Sequence, residues 1–150
     1  MCIRDSHKGT REKYDGDWIR SGDEGMVDED GNFWFSGRID DVITNSGYRI
    51  APAEIENQLL KHPSVPLAAV VGCPDEMRGH VVKAFIRLNP DFAASVPLKE
   101  EISGFVKSRL AAHEYPRIIE FLEEFPMTTT GKEMRRLLRD RISLSQLRLQ

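Results

Sequence analysis

The sequence predicts an α+β fold, a small mixed sheet with helices packed on it, preceded by a β-hairpin segment. Two observations indicate this. Apolar residues recur at helical spacing in three segments, and apolar runs typical of strands lie between these segments. A hairpin turn signal at Asp30 and Gly31 comes before all of them and is followed by the aromatic run 33–35. The order hairpin, helix, strand, strand, helix, strand, helix fits a layer of helices over a short sheet.

The first helix is predicted to begin at Pro52, because proline is well tolerated at the first helical position. Glu54 and Glu56 favour the positive end of its dipole, and His62 and Pro63 end it. Its apolar stripe consists of Ile55, Leu59 and Leu60.

The remaining elements follow from apolar patterns. Residues 67–71 form a continuous apolar strand, and residues 81–88 alternate so that a second strand has a distinct face on each side. Residues 98–110 repeat apolar positions at helical spacing. A third strand at 118–122 and a final helix at 134–142 complete the domain.

Composition and charge restrict the possible functions. The 150 residues suffice for one ordinary domain, and 40% hydrophobic and 30% charged residues are typical of a soluble globular protein. A net charge of −3 gives no general attraction to nucleic acid or anionic membranes. No apolar run approaches the ~18 residues of a membrane span. Cys2 and Cys73 lack metal-type spacing, the four histidines share no ligand spacing, and we predict no metal site and two reduced thiols.

Three segments combine charged residues with glycine. Residues 37–56 contain two arginines, adjacent aspartates and a glycine loop just before a helix start, where anionic ligands are commonly held. Residues 21–23 form a glycine-containing acidic turn upstream, and residues 128–132 form a flexible loop that ends in a lysine. This last loop is not a P-loop, because Pro126 replaces its first glycine and Glu133 replaces its magnesium-binding Ser or Thr.

In this order and spacing, the three segments resemble the C-terminal part of the acyl-adenylate-forming (AMP-binding) enzymes. That superfamily contains acyl-CoA synthetases, adenylation domains of peptide synthetases, and luciferases. The chain is most similar to the medium-chain acyl-CoA synthetase branch. The resemblance implies that a carboxylic acid, a medium-chain fatty or related acid, reacts with ATP to give acyl-AMP and pyrophosphate and then a CoA thioester. ATP and CoA would be substrates, and Mg²⁺ would be bound outside this chain.

The resemblance also implies roles for residues near the nucleotide. Lys132 corresponds to the catalytic lysine of the adenylation step and would contact ATP. Asp23 matches the carboxylate that accepts hydrogen bonds from the ribose, and Arg38 matches an arginine that contacts the nucleotide. Asp40 matches the hinge about which the small domain rotates between adenylation and thioester formation. Glu133 departs from the family, which usually has an apolar residue there, and its charge can weaken the positive potential near Lys132.

A CoA site is implied in the same way. Ser46, Gly47 and Tyr48 would lie on the face turned inward for the thioester step, where glycine lets the backbone approach the pantetheine chain. Arg49 would lie near the substrate or nucleotide phosphates. The nucleotide end of CoA would contact Arg78, Lys107, Tyr115, Pro116 and Arg117. An aromatic ring that stacks on adenine beside phosphate-pairing arginines suits this ligand, although Lys107 is also explained as a solvent-facing helix residue.

The resemblance divides the chain into parts. Residues 1–6 are interpreted as a non-native start, residues 7–39 as the end of a large N-terminal domain, residues 40–142 as the C-terminal domain, and residues 143–150 as a tail. The family's phosphate-binding loop, acyl pocket and magnesium carboxylate belong to the N-terminal domain and are not found here. We therefore expect an inactive fragment whose partner is that missing domain, with no nucleic-acid partner and a cytoplasmic or, in a eukaryote, mitochondrial-matrix location.

Two alternatives stay open. The chain could be the C-terminal part of a peptide-synthetase adenylation domain, which delivers its acyl group to a carrier protein. It could instead be a stand-alone module that binds a CoA-like ligand or a protein partner without catalysis. The cluster around Tyr115 argues against the first alternative, and an upstream reading frame with a Ser/Thr/Gly-rich loop would exclude the second.

Overall fold

The computed structural model describes residues 11–131 and 133–147. The predicted start 1–6, Cys2, His7 and Lys132 lie outside the described residues. The chain divides into two compact units, with the boundary between Asp40 and Asp41. No helix within the described ranges is long and apolar enough to cross a membrane.

The first unit contains two antiparallel hairpins. Strand β1 (Tyr14–Asp15) pairs with β2 (Trp18–Ile19), and β3 (Asp23–Val27) pairs with β4 (Phe33–Arg38). Gly31 has a φ of 83°, a left-handed conformation that glycine adopts readily. The predicted hairpin between β3 and β4 is thereby confirmed.

The second unit contains a five-stranded mixed sheet of β5 (Ile43–Asn45), β6 (Tyr48–Ile50), β7 (Leu67–Asp75), β8 (Gly79–Arg87) and β9 (Ile118–Phe121). The path β6-β5-β8-β7 is antiparallel throughout, and β9 pairs with β8 in parallel. The hairpin of β5 and β6 was not predicted, because its sequence indicates a glycine loop.

The described residues of this unit also form three helices: α1 (Pro52–Leu59), α2 (Val96–Lys107) and α3 (Arg135–Leu147). The Oγ of Ser95 caps α2 by accepting a hydrogen bond from the backbone N–H of Leu98 at 3.3 Å. Helix α3 continues beyond the predicted end at residue 142. The mixed sheet and its covering helices confirm the predicted fold class.

The sheet is buried on both faces. One face packs with α1 and α2 around Ile55, Val82 and Ile102, and the other packs with α3 around Phe85 and Leu138. The alternation predicted for residues 81–88 therefore separates two cores. Leu60 was predicted in the apolar stripe of α1 and is 46% exposed, because the helix ends at Leu59 and Leu60 is its C-cap.

Candidate functional site

Asp23 and Arg38 form an exposed ion pair in the first unit. They lie opposite each other on β3 and β4, and Arg38 Nη1 donates to Asp23 Oδ1 at 2.9 Å. The backbone N–H of Asp23 donates to Ser21 Oγ at 3.1 Å, and a Cβ at Gly22 would lie 3.0 Å from Arg38 Nη2. The small residues of this turn thus let the guanidinium approach the carboxylate. The side chain of Arg38 is 45% exposed and that of Asp23 is 40% exposed, so a polar ligand can reach both.

Asp40 lies at the unit boundary, within a single 3₁₀ turn at Ile39–Asp41. This turn contains no buried residue, and the Asp40 side chain is 76% exposed. Its carboxylate is 3.9 Å from Arg38 Nη2, a contact of the kind that contributes ~0–1 kcal/mol at a surface. The Asp40 side chain is therefore largely open to solvent.

The turn between β5 and β6 is joined to β8. Ser46 and Gly47 have φ values of 51° and 86°, and the backbone N–H of Ser46 donates to the carbonyl of Arg78 at 3.0 Å. Arg78 belongs to a second tight turn, in which its own N–H donates to Asp75 Oδ1 at 2.9 Å. The structure therefore brings the predicted residues Ser46, Gly47 and Arg78 together at one end of the sheet.

Two further residues connect this turn to the loop after α2. Asn45 is 3% exposed, and its Nδ2 donates to the carbonyl of His113 at 3.3 Å. The ring of Tyr48 stacks on that of His113, with centroids 4.0 Å apart and planes at 17°. Neither Asn45 nor His113 was predicted for this site, because no motif or residue spacing in the sequence connects them. They fix the position of Tyr48 beside the loop that leads to Tyr115.

Tyr115 lies close to two cations. Lys107 Nζ and Arg117 Cζ are each 5.2 Å from the centroid of its ring. These side chains and Pro116 line an open groove of about 540 Å³. Ser103 Oγ donates to the carbonyl of Pro116 at 2.9 Å and so attaches the loop to α2. An aromatic surface flanked by cations suits a ligand that combines a flat base with phosphates.

The remaining predicted residues lie elsewhere. Arg49 is exposed on β6, opposite Thr44 on β5. For the loop before Lys132, the Gly131 N–H donates to the Thr128 carbonyl at 3.0 Å. The loop is closed at its base by a β-bridge between Met127 and Glu133. Among residues 11–131 and 133–147, no cluster of His, Cys, Asp or Glu could hold a metal ion.

Comparison with known proteins places the chain in a family. Residues 54–132 match the model of the AMP-binding enzyme C-terminal domain, and the chain belongs to this family. It is 51% identical over 133 residues to the acetyl-coenzyme A synthetase of Bacillus subtilis (strain 168). It is 53% identical over 126 residues to the mitochondrial acyl-coenzyme A synthetase ACSM3 of Rattus norvegicus. These matches cover 85% and 83% of this chain and only 23% and 22% of the relatives.

Solved structures agree with these relatives. The anthranilate CoA ligase AuaEII in complex with anthranoyl-AMP superposes with a TM-score of 0.82 at 38% identity, covering 95% of this chain and 28% of that one. The acyl-CoA synthetase of Brucella canis superposes with a TM-score of 0.71 at 48% identity, covering 89% and 25%. The chain is thus similar to less than a third of each acyl-CoA synthetase.

Proposed function

We propose that this chain is the C-terminal part of an AMP-forming acid–thiol ligase, an acyl-CoA synthetase that converts a carboxylic acid first to its acyl-adenylate and then to its CoA thioester. The observation that supports this most strongly is the groove around Tyr115, with the cations of Lys107 and Arg117 each 5.2 Å from the ring centroid. The relatives are acyl-CoA synthetases, which favours CoA over a carrier protein as the acyl acceptor.

In the first step, a carboxylate is a poor electrophile, and its transfer to AMP supplies a leaving group. Charge develops on the α-phosphate while pyrophosphate departs, and Lys132 would stabilise that charge as a point cation. Asp23 would accept hydrogen bonds from the ribose hydroxyls, and Arg38 would contact the nucleotide. Their ion pair at 2.9 Å is exposed enough to open for this ligand.

In the second step, CoA would bind to the second unit. Tyr115 would stack on adenine, and Lys107, Arg117 and Arg78 would pair with phosphates. Ser46, Gly47 and Tyr48 would line the path of the pantetheine chain, where the glycine leaves room for close approach. Arg49 would contact phosphates of the substrate or nucleotide. Asp40 would be the hinge about which the small domain rotates between the two steps.

The partner and the substrate complete the proposal. The rest of a longer polypeptide would supply the acyl pocket and the ligands for Mg²⁺. The acid would be a medium-chain fatty or related acid. The enzyme would act in the cytoplasm, or in the mitochondrial matrix of a eukaryotic cell.

A chimera tests this function. Residues 7–150 would replace the corresponding C-terminal segment of the Bacillus subtilis relative, and the product is called the host chimera below. We expect carboxylate-dependent exchange of pyrophosphate into ATP and CoA thioester formation by the host chimera, and neither by the isolated chain. Robust exchange by the isolated chain, or a folded host chimera with no exchange, would contradict the proposal.

A variant of the host chimera tests the CoA groove itself. Arg117→Ala should raise the KM for CoA about tenfold, the effect of losing one charged hydrogen bond, and leave pyrophosphate exchange unchanged. Arg109→Ala is the matched control, because Arg109 also lies over an aromatic ring, with its Cζ 3.6 Å from the centroid of Phe105, outside this groove. Equal effects of the two substitutions on the KM for CoA would remove the groove from the proposal.

A further inference from the structure

Glu56 has structural partners that its position in the sequence does not predict. It was interpreted as a residue that favours the helix dipole, yet only Glu54 lies in the first turn of α1. Glu56 is 9% exposed, and its Oε1 accepts a hydrogen bond from the backbone N–H of Val70 at 2.8 Å. Because β7 is an edge strand, this carboxylate satisfies an edge N–H and attaches α1 to the sheet.

The same carboxylate pairs with the first residue of α3. Arg135 Nη2 donates to Glu56 Oε1 at 2.9 Å and to Oε2 at 2.7 Å, and Arg135 Nε is 3.3 Å from Oε1. On its other side, Arg135 Nη1 donates to Asp41 Oδ2 at 3.3 Å, and Asp41 Oδ1 accepts from Arg139 Nη2 at 3.1 Å. The guanidinium thus joins α1, α3 and the first residue of the second unit.

The electrostatics of Arg135 indicate a fixed cation. Burial alone would lower its pKa, but the hydrogen bond and charge of Glu56, together with the charges of Asp41 and Glu133, raise it above the usual value. The side chains of Glu56 and Asp41 are only 11% and 15% exposed, so solvent screens these interactions weakly. A planar guanidinium with two carboxylate partners can hold three elements in one geometry.

This network begins next to the base of the loop that precedes Lys132. The two residues before Arg135 both contact the start of this loop. Glu133 forms a β-bridge with Met127, and the N–H of Met134 donates to the Pro126 carbonyl at 2.8 Å. Both ends of the loop are therefore attached to the start of α3. At the opposite end of the network, Asp41 directly follows the proposed hinge residue.

We propose that Glu56, Arg135 and Asp41 are positioning residues, which hold the base of the Lys132 loop in a fixed relation to the hinge side of the second unit. The inference rests on the proposed function. A displaced lysine would affect the step that develops charge on the α-phosphate and would leave thioester formation largely unchanged. A misplacement of about 1 Å can cost a reaction roughly 100-fold.

The experiment compares the two half-reactions in the host chimera. Arg135→Lys keeps the charge and removes the planar fork, and Glu56→Gln keeps an acceptor for the Val70 N–H and removes the charge. We expect each substitution to lower the kcat of adenylation by roughly 10- to 100-fold. The KM for ATP, and thioester formation from supplied acyl-adenylate and CoA, should stay within about twofold, because only the placement of the loop changes.

The matched control is Arg141→Gln. Arg141 lies on the same helix but pairs with a different carboxylate, Glu120, at 2.9 Å, whereas Arg135 pairs with Glu56 and Asp41. Thermal unfolding of every variant is followed in parallel. The network is only structural if Arg135→Lys and Glu56→Gln slow both half-reactions equally. The same conclusion follows if they slow adenylation no more than Arg141→Gln does. An unmutated host chimera without exchange activity would instead contradict the proposed function, and this inference with it.

Discussion

The two units differ in how much of their apolar surface is buried. Before Asp41, Trp18, Phe33 and Phe35 are 80%, 87% and 72% exposed, and no large apolar side chain is buried among the described residues there. After it, Phe85 and Ile102 are fully buried in two cores on opposite faces of one sheet. The second unit therefore has the means to fold by itself, whereas the first depends on contacts outside its own hairpins. We propose that the rest of a longer polypeptide supplies them.

The proposed ligand contacts differ in the same way. In the first unit, Asp23 and Arg38 are exposed and form an ion pair with each other. In the second, the ring of Tyr48 stacks on that of His113, and the buried amide of Asn45 donates to the His113 carbonyl. A ligand site that is fixed by buried groups is preorganised, and binding to it orders fewer side chains. The comparison thus predicts which substitutions affect folding and which affect only function.

The largest expected difference concerns stability. Phe85→Ala should lower the free energy of unfolding of the chain by roughly 3–5 kcal/mol, because it removes a fully buried ring from the α3 core. Phe33→Ala, at an exposed ring of the first unit, should stay within about 0.5 kcal/mol. Urea unfolding followed by circular dichroism measures both. Equal losses would show that the first unit has a core of its own.

The next effect concerns catalysis. Lys132→Ala in the host chimera should slow adenylation by about 10²–10³-fold, the typical loss for one preorganised transition-state contact. Thioester formation from supplied acyl-adenylate should change far less, since in the proposed mechanism the lysine acts in the first step only. Lys61→Ala is the control, because Lys61 is an exposed lysine of the same unit whose Nζ donates to Gln58 at 3.1 Å. Parallel losses in both half-reactions would contradict the assignment of Lys132 to adenylation.

A substitution at the boundary between the units should have the opposite effect, slowing thioester formation more than adenylation. Asp40→Pro fixes φ at the proposed hinge and adds about 1–3 kcal/mol of backbone strain to any state that needs another φ. Overall thioester formation by the host chimera should slow roughly 10- to 100-fold while pyrophosphate exchange survives. Asp40→Ala, which keeps the backbone free, serves as the control. An unchanged overall rate in the proline variant would argue against domain rotation.

Periodicity predicted the elements that bury side chains over many residues. Strand β8 and helix α2 repeat their apolar positions several times, so their type and position followed from the sequence. Strands β5 and β6 have three residues each, too few to show alternation. The Ser46–Gly47 pair was therefore interpreted as a loop, although its left-handed φ values form the turn of a hairpin.

The site was predictable in part, because its residues were assigned through a resemblance and not from geometry. Ser46 and Arg78 were both assigned to CoA, and their backbone hydrogen bond at 3.0 Å brings them together. The network of Asp41, Glu56 and Arg135 could not be predicted, since its hydrogen bonds join residues 79 and 94 positions apart. No local spacing rule connects such positions, and burial of their charges is a property of the assembled sheet.

The smallest expected effect is a pH dependence that differs between the units. Asp28 accepts hydrogen bonds from Trp34 Nε1 at 2.7 Å and the Asn32 N–H at 2.8 Å, which lower its pKa from 3.8 to about 2. For Glu120, burial would raise the pKa, but Lys83, at 2.8 Å, and Arg141 lower it below its usual 4.5. Both carboxylates stabilise their surroundings when ionised, and this contribution is lost as the pH falls from the unfolded pKa through the lowered folded pKa.

The two losses should be visible in different measurements. Protonation of Glu120 leaves the buried ammonium of Lys83 without its counter-charge, so the unfolding free energy of the second unit should begin to fall below about pH 4.5. Protonation of Asp28 should shift the NMR signal of the Trp34 indole N–H with a midpoint near pH 2 and leave that free energy unchanged, because its hairpin has no buried core. Glu120→Gln should therefore flatten the dependence of stability on pH more than Asp28→Asn does. The reverse order would mean that the exposed hairpin is coupled to the folding of the sheet, and that the two units unfold as one.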